Sequence, residues 1–112
     1  MLSMSKFVEL NNLGAFEGLL KESDRHPILL FKHSLTCSIS SWAYKDLAVL
    51  DGPVMMVVVQ NARALSNEIA SRTGIKHESP QAIVLRNGRP VWSGSHGKVT
   101  AAAVTQALQE NK

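Results

Sequence analysis

Two short stretches, Ile28-Leu29-Leu30-Phe31 and residues 54–59, are apolar at every position. A strand with one wet face alternates apolar and polar residues. Runs with no polar face instead belong to strands covered on both sides, the condition of parallel sheets flanked by helices. Between and around these runs the spacing is helical: Leu13, Phe16, Leu19 and Leu20 precede the first, Ile39, Ala43, Leu47 and Leu50 separate the two, and Leu65 and Ile69 follow the second. The chain is thereby held to strand–helix–strand units around a buried sheet. Residues 54–59 are also its longest apolar run, far short of the ~20 residues that a membrane-spanning helix needs.

Local signals mark the boundaries. Asn12 is placed to cap the first helix by accepting a bond from an unpaired first-turn N–H, and Pro27 lies beyond its end. Asp51-Gly52-Pro53 stops the second helix, and Gly74 ends the third in the left-handed conformation. After Pro80, residues 82–85 and Val91-Trp92 flank Arg86-Asn87-Gly88-Arg89; Asn-Gly between strand-like runs is a hairpin signal, and Pro90 sets the second arm at a sheet edge. Thr100 caps the last helix, with Val99 and Val104 placed as a hydrophobic staple and Leu108 on the same face. Phe7-Val8-Glu9-Leu10 reads as a brief edge strand. The order β-α-β-α-β-α-β-β-α predicts a thioredoxin-like α/β fold, a mixed sheet of about four to five strands with helices on both faces. The length, 112 residues, suits a single domain spanning residues 1–112, since domains commonly hold about 100–150 residues. The N-terminal Met1-Leu2-Ser3-Met4-Ser5-Lys6 lacks the apolar segment of a secretory leader, so a cytoplasmic protein with no membrane association is expected.

Composition narrows the chemistry. One cysteine excludes an intramolecular disulfide and any all-thiolate metal cage within the chain, and suits a reducing compartment. Residues 1–51 carry 5 basic and 6 acidic side chains and residues 52–112 carry 7 and 3, for a net +3. No basic run forms and aromatics are 5%, so no nucleic-acid groove is expected. The positive second half favours a small anionic ligand.

The cysteine, Cys37, stands between the first buried strand and the helix begun near Ile39. A thiol at a helix N-terminus faces unpaired backbone N–H groups and the positive end of the macrodipole, both of which favour the thiolate. Ser40 is placed to offer its hydroxyl to the sulfur, and Thr36 and Ser38 add donors. In Cys-x-x-Ser the serine stands where two-cysteine oxidoreductases carry a resolving thiol, so Cys37 must be cleared by an external thiol, which limits the chain to monothiol exchange. His33 is a candidate base or ion-pair partner, set against the alternative that it packs at a strand end. A metal site of Cys37 with His33, His77 and His96 lacks ligand spacing, and no metal is expected. By composition alone the Ser79–Pro80 bond is trans.

Lys32-His33-Ser34-Leu35-Thr36-Cys37-Ser38-Ile39-Ser40, then Ser66-Asn67, then His77-Glu78-Ser79-Pro80-Gln81-Ala82, then Trp92 and Ser95-His96 resemble the monothiol bacilliredoxin family, thioredoxin-like proteins of the bacillithiol system. The resemblance implies that Cys37 is the nucleophile and that a cis Ser79–Pro80 peptide packs beside it as a ledge for the substrate; His33 is a further candidate at the substrate. It implies removal of bacillithiol, or a similar low-molecular-weight thiol, from S-thiolated client proteins, with bacillithiol as co-substrate and no bound cofactor. Arg63, Lys76 and Lys98 are candidate charge partners for that anionic thiol. One departure stands out: the family usually has Pro where this chain has Ser38, which restores a backbone N–H. The alternative reading is a non-catalytic thioredoxin-like module whose Cys37 is only a site of thiolation. A cluster-binding glutaredoxin-like module fits less well, because Ser38-Ile39 replaces the Gly-Phe of its Cys-Gly-Phe-Ser motif.

Overall fold

The computed structural model describes residues 6–112; the expectation about a secretory leader rests on residues 1–5 and lies outside them. The elements run β1 (Phe7–Glu9), α1 (Leu13–Glu22), β2 (Ile28–His33), α2 (Ser38–Leu47), β3 (Val54–Val58), α3 (Arg63–Thr73), β4 (Gln81–Arg86), β5 (Arg89–Ser95), a 3-10 turn (His96–Lys98) and α4 (Ala101–Glu110). The strands form one sheet in the order β1-β3-β2-β4-β5. β3 is parallel to both β1 and β2, whereas β4 is antiparallel to β2 and to β5. This is the thioredoxin-like mixed sheet.

Alternation along each strand divides the core between the two faces. Leu29, Phe31, Val54, Met56, Val58, Ala82 and Val84 face α2 and α4. Ile28, Leu30, Val57, Ile83 and Leu85 face α1 and α3. The apolar runs of β2 and β3 are thus covered on both sides, which is why they carry no polar face. Asn12 accepts from the Ala15 N–H at 2.9 Å and Thr100 from the Ala103 N–H at 3.1 Å, capping α1 and α4. Gly74 ends α3 at φ 73°, and Asn87 and Gly88 turn the hairpin at φ 56° and 77°. Pro90 lies on β5, an edge strand, where a missing donor costs no ladder bond.

β2 ends at Lys32 and His33, as the sequence reading had it, and both are buried because each finds a polar partner inside. One element differs from the sequence reading. In α2 the buried stripe is Ser40, Ala43 and Leu47 rather than one starting at Ile39, which is 48% exposed, and Leu50 lies past the helix end.

Candidate active site

Cys37 is the N-cap of α2, with extended backbone (φ −107°, ψ 122°) and a partly exposed side chain. Its carbonyl accepts the first helical bond, from the Ser41 N–H at 3.1 Å. The amides of Ser38, Ile39 and Ser40 therefore point out of the helix end with no intrahelical acceptor. The sulfur makes no capping bond to the helix.

The loop that delivers Cys37 is held by a residue the sequence reading did not single out. Gln60 accepts the Leu35 N–H at 3.1 Å through Oε1, and its Nε2 donates to Ser34 Oγ at 3.0 Å and Thr36 Oγ1 at 3.3 Å. One amide side chain thus engages three consecutive residues. The usable signal was its position just past residues 54–59, at the carboxyl end of a parallel strand, where α/β proteins gather their sites. Thr36 is committed to this clasp, and Ser38 opens α2 at the rim of a surface groove.

Ser40 and His33 need correction. The Ser40 hydroxyl was expected at the sulfur, but Ser40 is fully buried and turns inward: its Oγ lies 2.7 Å from His33 Nδ1 and accepts the Ser34 N–H at 2.9 Å. His33, expected at the substrate, is buried between Phe31 and Tyr44, with ring centroids 5.4 and 5.1 Å away. Burial holds the imidazole below its ordinary value, and its Nδ1 shares a hydrogen bond with the Ser40 hydroxyl. It packs against these rings and ties the end of β2 to the first turn of α2.

The Ser79–Pro80 peptide is cis, as the resemblance implied and contrary to the compositional default. Lys32 pairs with Gln81 across the β2–β4 ladder, so one further step in register sets Pro80 opposite His33. The loop leading to Pro80 is pinned from both faces. On the α3 side Gln81 Nε2 donates to the Lys76 carbonyl at 2.9 Å, and Lys32 Nζ donates to His77 Nδ1 at 3.2 Å and to the Ser66 carbonyl at 3.0 Å. On the other side His96, at φ 56°, donates its N–H to the Pro80 carbonyl at 2.8 Å and sets Nε2 3.3 Å from Glu78 Oε1. Lys32 is fully buried, and among the described residues no carboxylate pairs with it; burial pushes its ammonium down to about 8. His77 is held below its ordinary value by burial first, then by the Lys32 charge and further by Arg63, with Glu78 opposing.

Beside Cys37 an open groove of about 710 Å³ runs between α2 and the His96–Lys98 turn, lined by Ser38, Ile39, Trp42, Lys45 and Gly97 among others. Trp42, on the groove, is 78% exposed and Leu35, in the loop before Cys37, is 62% exposed. The three histidines weighed for a metal are engaged separately, His33 with Ser40, His77 with Lys32 and Ser66, and His96 with Glu78. Among the described residues no three His, Cys, Asp or Glu side chains converge. The three proposed charge partners also divide: Arg63 opens α3 on one face, whereas Lys98 belongs to the turn packed on α2 at the other. No helix among the described residues is long and apolar enough to cross a membrane.

The chain matches the family profile described as monothiol bacilliredoxin BrxC over residues 8–104. It is similar to a solved candidate oxidoreductase with a thioredoxin fold, at 35% identity and TM-score 0.82, covering 94% of this chain and 98% of that one. Thioredoxin from Fasciola hepatica superposes at TM-score 0.74 with 13% identity, covering 93% and 98% of the two chains. Spinach chloroplast thioredoxin f superposes at TM-score 0.69 with 21% identity, covering 99% and 98%. These last two share the fold alone.

Proposed function

The chain belongs to the monothiol bacilliredoxin family, and from that premise we propose that it removes bacillithiol from S-bacillithiolated proteins, as one cytoplasmic domain acting through Cys37. In the first step the Cys37 thiolate attacks the bacillithiol sulfur of the mixed disulfide. That disulfide breaks, Cys37 becomes linked to bacillithiol, and the client leaves as a thiolate that takes up a proton. In the second step a further bacillithiol, as thiolate, attacks the bacillithiol sulfur held on Cys37. Bacillithiol disulfide leaves and the Cys37 thiolate returns, so the second bacillithiol is the reductant.

The observation that most supports this reading is the placement of the sulfur. It is partly exposed, caps a helix N-terminus and has no second cysteine in the chain to close on. The outward amides of α2 favour the anion as nucleophile and again as leaving group. Thr36 and Ser38 flank it, Ser40 acts through His33 and the Ser34 amide, and Ser79 with Pro80 forms the ledge on which the disulfide lies, where an extended client segment adds by main-chain hydrogen bonds. Ser38 in place of the family's usual Pro supplies one more amide at the helix end. The test is release of client thiol from a bacillithiolated protein by wild type and Cys37→Ser with bacillithiol present. Multiple turnovers by wild type and none by the variant are expected; release by wild type no faster than by the variant would leave Cys37 only a site of thiolation.

A further inference from the structure

We propose that Arg63 and His77, backed by the buried ammonium of Lys32, form a carboxylate subsite that selects the low-molecular-weight thiol. This rests on the exchange reaction above and names how one of its two substrates is recognised.

The argument begins at Lys32. Its Nζ, sealed under α3, donates to His77 Nδ1 and to the Ser66 carbonyl. A ring nitrogen facing an ammonium must present its lone pair, so the network assigns the His77 proton to Nε2. The Ser66 hydroxyl, 3.1 Å from the same Nδ1, fits that assignment as a second donor. His77 is partly exposed, and among the described residues no hydrogen bond uses its Nε2. The ring is therefore a neutral group of fixed tautomer with one unspent donor.

The field around that donor is positive. Lys32 stands behind the ring, and Arg63 lies three residues before Ser66 on α3, on the helix face whose Ser66 hydroxyl meets His77. Arg63 is exposed and makes no ion pair among the described residues. The α3 N-terminus adds to this, because its N-cap Ala62 makes no side-chain cap bond and the helix dipole favours an anion there. Glu78, the acid acting on His77, has His96 as its partner at 3.3 Å.

Position connects the subsite to the sulfur. Cys37 follows β2 and Arg63 follows β3, neighbouring parallel strands, so both emerge at the same carboxyl edge, and His77 lies in the loop that ends at Pro80. Bacillithiol is a sugar thiol bearing a malate dicarboxylate, which gives it a fixed anionic tail. A carboxylate accepting from the Arg63 fork and from His77 Nε2–H would be held by charge-assisted bonds, while a neutral thiol would gain nothing from them.

The test compares two thiols resolving the same Cys37–bacillithiol disulfide: bacillithiol and uncharged 2-mercaptoethanol. In wild type, free malate should inhibit resolution by bacillithiol far more than resolution by 2-mercaptoethanol. In Arg63→Gln the preference for bacillithiol, read as the ratio of kcat/KM for the two thiols, should fall about 3- to 10-fold, the scale of one partly exposed charge-assisted bond, and Arg63→Lys should restore part of it. An unchanged preference in Arg63→Gln, or equal inhibition by malate with both thiols, would overturn the subsite while leaving the exchange reaction standing. Failure of both thiols to resolve the wild-type disulfide would overturn the exchange reading and the subsite with it.

Discussion

His33 Nδ1 and Ser40 Oγ lie 2.7 Å apart, and this buried bond joins the last residue of β2 to the first turn of α2. The same hydroxyl accepts the Ser34 N–H at 2.9 Å, so the turn carrying Cys37 is closed at its base. Ser40→Ala leaves two buried polar groups unpaired and should cost about 1–3 kcal/mol of stability, measured by denaturant unfolding. Because the hydroxyl faces away from the sulfur, alkylation of Cys37 in the folded variant should stay within about twofold of wild type. A tenfold drop in alkylation with unchanged stability would mean that Ser40 acts on the thiol directly.

Gln60 makes three hydrogen bonds to Ser34, Leu35 and Thr36 from an exposed position. Water can replace an exposed amide, so Gln60→Ala should cost only about 0.5–1.5 kcal/mol. Its effect should appear locally, as faster amide hydrogen exchange at Leu35. Unchanged exchange there would show that the loop holds its shape without the clasp.

Burial lowers both His33 and His77 from the ordinary 6.5. Below pH 6.5 the unfolded chain then binds more protons than the folded one. The stability these neutral rings contribute is complete above pH 6.5 and is lost as pH falls through their folded values. Denaturant midpoints should decline from pH 7 to pH 5, and less steeply in His33→Gln. An equal slope in the variant would remove His33 from the account.

Lys32 gives the opposite limb. Its folded value of about 8 lies below the ordinary 10.5, so between these values the unfolded chain again holds the extra proton. Folding stability on account of Lys32 rises as pH increases from about 8 to 10.5 and is lost as pH falls back through 8. The difference in unfolding free energy between wild type and Lys32→Met should therefore move in favour of wild type across that window. A difference that stays flat would mean that the ammonium is not penalised in the fold.

How far the sequence could be read follows from how local each cause is. Asn12, Gly74, Asn87-Gly88 and Thr100 act within a few residues of themselves, and their caps and turn were legible. The two buried strands were legible because covering both faces leaves no polar position. Ser40 was misplaced because its burial depends on His33, seven residues earlier on another element. The burial of the Lys32 side chain was not legible for the same reason: its partners, Ser66 and His77, lie 34 and 45 residues away. The place of Cys37 at the start of α2 was legible from its neighbours. The residues that hold it were not, since Gln60 reaches the loop from 24 to 26 positions away.

The most direct test is the mass of the chain after a single turnover with a bacillithiolated client and no free bacillithiol. The account predicts that the chain gains one bacillithiol, located by fragmentation at Cys37, and that the client appears as its free thiol. A chain that gains the client instead, or gains nothing while the client stays modified, would contradict it.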